Sequence, residues 1–431
     1  MKILIISHNP ISTYQSMGKT FLSLFHCFQR EELCQLYIYP SIPDVDKCNS
    51  YFRVTDKEAL QSCLTRRGIG REIGSDEIRV AKKGLFENEK DESIYRNPKN
   101  QQAFRMLLRD DVWKFSNWFN KRTKKWLNKE KPTCIFVAPG TGKFLYNIAI
   151  KISKKYNLPI VSYICDDYYF LKPKRGFLEK KCSKQLKRKI EEFFTFTTYI
   201  VAISNGIGCN FSDTFRLPYK VIMTGSNYPI CQEVKQRETI NSITYMGNIC
   251  CNRYKSLAEI GIALDEINAE HGSNYELHIY TAEKNEKMLQ CLTACNSIKL
   301  NGFIAGDKFV ETFLSADMLL HVEAFDEESI DLVKYSISTK IADSLGSGIC
   351  LFAYGPACVS SMKHLIENDC AIYACSKTEL KEKLLFAFNN RKMREEKARN
   401  ALIAAHKYHD PNVTSREFYS LMEKISEGTS G

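Results

Sequence analysis

The stretch YSISTKIADSLGSGICLFAYGP, residues 335–356, decides the fold of the second half of the chain. It predicts a loop, a short helix, a glycine-marked turn and a buried strand that ends in Gly-Pro. An apolar run at residues 318–325 precedes it and predicts another strand. A strand, a helix and a strand in this order form a βαβ unit, which binds nucleotides at the carboxyl ends of its parallel strands.

Lys340 stands at an unusual place in this unit. It falls in the first turn of the predicted helix, directly after the N-cap candidates Ser338 and Thr339. A cation there opposes the helix dipole, but a bound phosphate would reverse that penalty. Asp343, one turn further on, is placed to accept hydrogen bonds from a ribose; an electrostatic role at the helix N-terminus is the alternative. The pattern therefore predicts a phosphate and ribose site.

The size and composition of the chain predict a large globular protein. Its 431 residues exceed what one hydrophobic core usually covers, so two or three domains are expected. The sequence is 44% hydrophobic and 26% charged, which excludes an intrinsically disordered chain. The formal net charge of +11 suits nucleic acid, anionic membrane surfaces or phosphorylated ligands, without choosing among them.

Cysteine spacing and hydropathy predict the compartment. The 17 cysteines include no CxxC pair and no zinc-type spacing, so no metal site is expected. We recognise no secretory signal, and no apolar run reaches the ~18 residues needed to span a membrane. We therefore expect a cytoplasmic protein with reduced thiols.

The first half of the chain begins with the same alternation of strand and helix. Residues 3–6 predict a buried strand, 19–28 an amphipathic helix and 36–39 a second strand. Gly18 lies in the predicted loop between the first strand and the helix. This order is typical of the start of a doubly wound sheet.

The pattern also predicts domain boundaries. A first domain is expected at 1–225, and its polar, charge-rich stretch 48–100 is interpreted as an insertion or a mobile segment. Residues 226–240 have little apolar pattern and predict a linker. A second domain is expected at 241–408, and a closing helix and tail at 409–431.

Two similar α/β halves, a linker and three motifs together resemble the GT-B-fold glycosyltransferases. The resemblance is closest to the large family of retaining enzymes that use sugar nucleotides and build bacterial surface polysaccharides. It implies an α/β fold with two Rossmann-like doubly wound domains facing across a cleft, and a C-terminal helix crossing back to the first domain. The motifs are TYMGNICCNRYKSL at 244–257, LNGFIAGDKFVETFLSADMLLHVEAF at 300–325 and STKIADSLGSGICLFAYGP at 338–356.

The same resemblance implies a function. We expect a retaining, hexosyltransferase-type glycosyltransferase that moves a sugar from a nucleotide-sugar donor to a saccharide or lipid-linked saccharide acceptor in surface polysaccharide synthesis. No cofactor and no metal are implied. Two alternatives stay open: a sugar-nucleotide epimerase of GT-B fold, and a non-catalytic GT-B subunit that supports a partner glycosyltransferase.

The resemblance also implies which residues bind the donor. Gly18 corresponds to the glycine of the first strand–helix loop of the family. Gly247, with Arg253 or Lys255, takes the phosphate-contacting positions after the first strand of the second domain. Fixed cations there would stabilise a leaving diphosphate without a metal, whereas a solvated basic turn is the alternative.

The paired-glutamate motif of the family is altered in this chain. Asp343 occupies the place of the second glutamate, but the residue eight positions before it is Tyr335. Because the loop before the helix is longer than usual, Glu323 and Asp326 are both candidates for the first, catalytic acid. This altered spacing motivates the non-catalytic alternative.

Acidic and aromatic residues follow strands of the first domain. Asp166 and Asp167 end the strand IVSYIC and lead into Tyr168, and the pair resembles the acid–aromatic position that faces the interdomain cleft in these enzymes. One carboxylate is placed to orient an acceptor hydroxyl or act as a base. A metal-binding pair and a surface turn are the alternatives, although two adjacent acids are weak evidence for a metal. His8 follows the first strand and is expected on the acceptor side, with a structural role as the alternative.

Two basic segments of the first domain, 121–131 and 173–189, contain interleaved aromatic and leucine residues. An acceptor on a lipid diphosphate would place these segments at an anionic membrane, so we expect peripheral contact with its inner face. A solvated helix face is the alternative. Nucleic acid is not expected as a partner, since no recognition motif accompanies the charge.

Overall fold

The computed structural model describes residues 1–81, 103–171, 176–235 and 237–428. The chain divides into two compact units. The first unit comprises Met1–Met223 together with Thr414–Gly431, and the second comprises Thr224–Val413.

The first unit contains an eight-stranded sheet in the order β4-β3-β2-β1-β5-β6-β7-β8. Its strands pair in parallel, apart from the antiparallel pair β3–β4. The strand order reverses between β1 and β5, which defines the switch point of a doubly wound sheet. The strands are β1 Ile3–Ser7, β2 Leu33–Tyr37, β3 Ser50–Arg53, β4 Arg71–Ile73, β5 Cys134–Val137, β6 Ile160–Ile164, β7 Thr197–Ala202 and β8 Tyr219–Val221.

Amphipathic helices connect these strands, with their apolar stripes turned to the core. In α1, for example, Phe21 and Leu24 are buried against the sheet. The helices of this unit are α1 Ser16–Leu24, α2 Asp56–Thr65, α3 Ser75–Val80, α4 Ala103–Phe115, α5 Lys121–Glu130, α6 Lys143–Tyr156, α7 Phe177–Phe194 and α8 Asn205–Phe215.

Residues 48–81, the first part of the stretch interpreted as an insertion or a mobile segment, are folded into the first unit. This part adds β3 and β4 to the sheet, and it carries α2 and α3. Tyr51 and Ile73 belong to the core, so the stretch is held by burial although its composition is polar. The rest of the predicted segment, 82–100, lies outside the described residues.

The second unit contains a six-stranded sheet in the order β11-β10-β9-β12-β13-β14, with parallel pairing throughout these strands. Its order reverses between β9 and β12. The prediction of two doubly wound α/β sheets is therefore confirmed. The strands are β9 Ser242–Met246, β10 Glu276–Tyr280, β11 Ile298–Leu300, β12 Leu319–Val322, β13 Leu351–Tyr354 and β14 Ile372–Ala374.

The helices of the second unit cover both the predicted βαβ unit and its flanks. The short helix predicted after residue 335 is present as α13. The helices are α9 Arg253–His271, α10 Glu286–Thr293, α11 Asp307–Leu314, α12 Glu327–Val333, α13 Thr339–Leu345, α14 Ser360–Glu367, α15 Lys377–Asn389 and α16 Arg391–Tyr408.

The last helix, α17 Pro411–Glu427, returns the chain to the first unit. Phe418 and Met422 are fully buried in the core of that unit. The Phe418 ring lies 5.3 Å from the ring of Phe25, in an edge-to-face arrangement. This confirms the predicted C-terminal helix that crosses back to the first domain.

The residues predicted as a linker, 226–240, are an integral part of the second unit. The backbone N–H of Cys231 donates to the carbonyl of Gly346 (2.8 Å), and that of Lys235 to Gly348 (2.7 Å). Gly348 has φ +75°, and a Cβ there would lie 2.5 Å from the carbonyl oxygen of Glu233. The segment is thus bound to the turn after α13, which composition alone does not reveal.

Candidate functional site

Charged side chains converge at the carboxyl ends of β9 and β12, the switch point of the second sheet. Ligands of doubly wound sheets bind at such points. We call this group the Arg–Glu–Lys cluster; it consists of Arg253, Glu323 and Lys340, with Gly247 and His321 beside them.

Arg253 and Glu323 form a two-pronged ion pair. Arg253 Nε donates to Glu323 Oε2 at 3.0 Å, and Nη2 donates to Oε1 at 3.2 Å. The Glu323 side chain is only 3% exposed. Its burial raises the pKa of its carboxyl, while Arg253 and Lys340 oppose that rise. The pair therefore fixes the guanidinium at the first turn of α9.

Lys340 brings a second cation to the same place. The residue as a whole is exposed, but its ammonium lies 5.7 Å from the centre of the Tyr245 ring. Burial of that ammonium and the nearby Arg253 guanidinium lower the pKa of Lys340 to about 8. A Cβ on Gly247 would overlap Lys340 Nζ, so the glycine leaves the space that the ammonium occupies.

His321 lies beside the cluster but was not found from the sequence. Its Nε2 lies 3.5 Å from Glu323 Oε1, and this buried atom has no hydrogen-bond partner among the residues that the structure describes. Burial, Arg253 and Lys340 lower the pKa of His321 to about 3. The available signal was strand alternation, since residues 321 and 323 share one face of the strand predicted at 318–325.

The other predicted residues of the second unit make local contacts. Of the two acid candidates, Glu323 lies in the cluster, whereas Asp326 caps α12 by accepting from the Ser329 N–H (3.0 Å). Asp326 also accepts from the side chain of Asn252 (3.1 Å). Of the two cation candidates, Arg253 lies in the cluster, whereas the exposed Lys255 has its ammonium 5.9 Å from the Tyr254 ring.

Asp343 holds the predicted linker in place. Its Oδ1 accepts from the Asn227 N–H at 2.7 Å, and its Oδ2 accepts from the Asn227 side chain at 3.1 Å. Ser338 is the N-cap of α13 by position, although its hydroxyl makes no capping hydrogen bond within the described chain, and Thr339 is the first helical residue. Ribose and phosphate contacts of these three residues stay predictions.

In the first unit, His8 follows β1 and is fixed by a polar network. Arg109 Nη2 donates to His8 Nε2 (2.9 Å), so the ring proton lies on Nδ1, which donates to Asn9 Oδ1 (2.6 Å). Asp56 Oδ1 accepts from Arg109 Nε (2.9 Å) and Trp113 Nε1 (2.7 Å). We call these residues the His8 network. Burial and Arg109 lower the pKa of His8 to about 4.

Local sequence explains how the His8 network is assembled. Thr55 caps α2 by a reciprocal pair with Glu58, which sets Asp56 at the helix start. Arg109 and Trp113 stand four residues apart on α4 and therefore share one helix face. No sequence pattern predicted this network, and Asp56 fell within the stretch interpreted as an insertion or a mobile segment.

Gly18 lies within α1, not in the loop where it was predicted. A Cβ at this position would lie 2.9 Å from the carbonyl oxygen of Pro10. The glycine therefore allows the helix to approach the loop after β1, a structural reason for its presence. This packing does not test the predicted contact between Gly18 and the donor.

The two acids after β6 differ in their surroundings. Asp167 is buried, and its Oδ1 accepts from the N–H groups of Tyr169 (3.0 Å) and Phe170 (2.9 Å). Burial raises the pKa of Asp167, although these two hydrogen bonds act to lower it. Asp166 is exposed and accepts from the Tyr168 hydroxyl at 3.0 Å. Asp167 thus closes a turn, while Asp166 and Tyr168 form the accessible pair.

The predicted basic segments lie largely on α5 and α7. On α5 the cations are exposed, whereas Trp126 and Leu127 are buried in the core. On α7 the exposed lysines accompany two apolar side chains, Phe177 (83% exposed) and Leu178 (41% exposed). Residues 173–175 of the second segment lie outside the described residues. Within the described chain, we find no helix whose length and apolar character would let it cross a bilayer.

Comparison with solved structures identifies the fold. Anabaena HepE, solved with UDP, superimposes with a TM-score of 0.63 at 11% identity, over 98% of this chain and 100% of that one. Sucrose-phosphate synthase from Thermosynechococcus elongatus gives 0.62 at 8% identity, over 99% and 100%. An α,α-trehalose-phosphate synthase (UDP-forming) from Burkholderia vietnamiensis gives 0.61 at 9% identity, over 100% and 98%. The chain has the GT-B fold.

Sequence comparison agrees with this class. A model of the glycosyl transferase-like family matches residues 263–419, a stretch that contains Glu323 and Lys340. The predicted resemblance to GT-B-fold glycosyltransferases is thereby confirmed. No curated protein matched the chain.

Proposed function

We propose that the protein is a glycosyltransferase that takes its sugar from a nucleotide-sugar donor bound by the second unit. The observation that carries the proposal is the Arg–Glu–Lys cluster, which stands at the switch point of a sheet within a GT-B fold. The family match over 263–419 supports it, as does the structural similarity to HepE, which was solved in complex with UDP.

The chemistry of the cluster suits the departure of a nucleoside diphosphate. Negative charge grows on the leaving diphosphate in the transition state, and preorganised cations stabilise that charge. Arg253 is oriented by the buried Glu323, so it needs no reorganisation during the reaction. Lys340 adds an ammonium whose environment already disfavours its charge, so an anionic ligand would strengthen its protonation. In this proposal side chains neutralise the diphosphate, without a metal or cofactor.

We assign the acceptor to the first unit and expect a saccharide or lipid-linked saccharide. Asp166 and Tyr168 are the candidates for contact with an acceptor hydroxyl, because they are the accessible pair after β6. His8 is a poor candidate for a base, since Nε2 accepts from Arg109 and Nδ1 donates to Asn9. The resemblance supports a retaining hexosyl transfer in surface polysaccharide synthesis.

The exposed Phe177 and Leu178 beside the lysines of α7 support a peripheral site on the cytoplasmic face of an anionic membrane. Co-sedimentation with vesicles of phosphatidylglycerol and phosphatidylcholine tests this part separately. Phe177→Ser should reduce binding to the anionic vesicles, while Phe104→Ser, a change of another exposed phenylalanine on α4, serves as control. Equal binding of Phe177→Ser and wild type would contradict the assignment.

A substrate screen tests the main proposal. Thermal shifts with UDP-, GDP-, ADP- and CMP-sugars find the donor, since a ligand at 100 times its dissociation constant stabilises by about 2.7 kcal/mol. The stabilising donor is then followed by NMR with and without saccharide acceptors. Transfer only when an acceptor is present supports the glycosyltransferase, and the anomeric coupling of the product decides retention. Conversion of the donor alone would indicate the epimerase, and binding without any turnover the non-catalytic subunit.

A further inference from the structure

His321 carries a buried hydrogen-bonding atom for which the described part of the chain supplies no partner. Its residue is 8% exposed, and Nε2 makes no hydrogen bond with any residue that the structure describes. Buried polar atoms in native proteins nearly always have a partner, and an exception calls for an explanation. In a site built to receive a ligand, the ligand itself is the simplest partner.

We propose that His321 Nε2 donates a hydrogen bond to an oxygen of the diphosphate in the bound nucleotide sugar. This makes His321 a donor-binding residue, and the inference rests on the proposed function of the cluster.

The position of the ring proton follows from the neighbour of Nε2. Glu323 Oε1 lies 3.5 Å away, too far for a good hydrogen bond but close enough for its charge to act. A proton on Nε2 is attracted by that carboxylate, whereas a lone pair there would be repelled. Burial and the cations Arg253 and Lys340 keep the ring neutral by lowering the pKa of His321 to about 3. His321 therefore offers one N–H group and no formal charge.

The charge of the cluster favours an anionic ligand. Two cations, Arg253 and Lys340, accompany one carboxylate, Glu323, so the group has a net positive charge when Lys340 is protonated. A sugar hydroxyl would leave that charge unbalanced, whereas a phosphate oxygen balances it and accepts the His321 proton as well. A neutral N–H also adds to diphosphate binding without further repulsion between cations.

Calorimetric titration of the full chain with UDP, GDP, ADP and pyrophosphate tests the proposal. His321→Phe keeps a flat aromatic ring but removes the N–H, and His321→Gln keeps an amide donor. For the tightest-binding probe, we expect His321→Phe to bind about ten- to a hundredfold more weakly, the usual worth of a hydrogen bond to a charged group. His321→Gln should recover most of the affinity. His278→Phe, a change on β10 outside the cluster, is the matched control and should bind as wild type does.

Two results would overturn the inference in distinguishable ways. If wild type binds a diphosphate and His321→Phe binds it equally well, the role of His321 fails while the proposed donor site stands. If wild type binds none of the four probes, both fail. Nitrogen NMR of the wild-type protein gives a check that needs no variant: Nε2 of His321 should be protonated, and its shift should move when the diphosphate is added. An unchanged shift at saturation would also refute the contact.

Discussion

The Arg–Glu–Lys cluster of the second unit and the His8 network of the first unit use similar residue types with opposite results. In the His8 network Arg109 faces Asp56, and the neutral His8 is hydrogen-bonded on both ring nitrogens. In the cluster the carboxylate of Glu323 is paired with Arg253, which leaves Lys340 as the surplus cation. His321 Nε2 has no hydrogen-bond partner within the described chain.

The difference distinguishes a network in which both ring nitrogens are hydrogen-bonded from a cluster in which one buried ring nitrogen has no partner among the described residues. Satisfied polar networks rigidify a structure, whereas surplus charge and unsatisfied atoms mark places where another molecule supplies the missing partner. By this criterion the second unit holds the better candidate site. The first unit is left with Asp166 and Tyr168 as its accessible pair.

Removal of the surplus cation should have the largest effect. Lys340→Ala is expected to lower turnover of the donor by about 10²-fold or more, the scale for loss of a transition-state electrostatic contact. Steady-state transfer assays with the donor found by thermal shift measure it. Lys255→Ala is the matched control, because Lys255 is an exposed cation of the same unit, beside Tyr254. If Lys340→Ala turns over the donor at nearly the wild-type rate, Lys340 is not a functional cation of the cluster, and the contrast with the His8 network fails.

Displacement of the same cation, without its removal, should have a smaller effect. Gly247→Ala places a methyl group where Lys340 Nζ lies, so the ammonium must move away. We expect a fall in kcat/KM of about tenfold, less than the loss of a whole contact because the charge stays nearby. Gly140→Ala is the control, since no atom of the described residues lies within 4 Å of a Cβ at that position. Identical kinetics of the two alanine variants would show that the position of Lys340 does not matter.

The sequence predicts the second unit better than the first for a physical reason. Gly247, Arg253 and Lys340 are near the ends of regular βαβ elements, and the period of the strands fixes where such residues converge. The His8 network depends on Asp56 and Arg109, which lie 53 positions apart on helices whose packing no local pattern encodes.

Composition has the same limit elsewhere in the chain. Composition marked 48–81 as polar although it supplies two strands, and it marked 226–240 as a linker although backbone hydrogen bonds tie it to the turn after α13. Neither burial by distant strands nor backbone pairing leaves a signal in side-chain composition. His321 could have been found from strand alternation with Glu323, but its missing partner is visible only in three dimensions.

The balance of the His8 network can be broken at Arg109. Arg109→Met removes both the nearby positive charge and the hydrogen bond to Nε2, so the pKa of His8 should rise from about 4 by about one unit, toward the ordinary 6.5. NMR titration of the histidine nitrogens measures it. Between pH 6.5 and pH 4 the His8 side chain is protonated in the unfolded chain but neutral in the folded protein. The free energy of unfolding therefore decreases as the pH falls from 6.5 toward 4. The variant should therefore lose less stability over that range than wild type, and an unchanged His8 pKa would contradict the role of Arg109.

The acids after β6 give the smallest and most selective test. In Asp167→Asn the amide oxygen still accepts from Tyr169 and Phe170, so the turn is kept while the carboxylate is lost. We expect transfer rates within about threefold of wild type, far below the 10²–10⁴-fold that loss of a general base costs. Asp166→Asn is the paired variant and should be the slower of the two, because Asp166 is exposed and bonded to Tyr168. A large loss of activity in Asp167→Asn with unchanged thermal stability would contradict this expectation. It would indicate that the buried Asp167, and not Asp166, is the reactive acid of the first unit, even though Asp167 accepts hydrogen bonds from the turn.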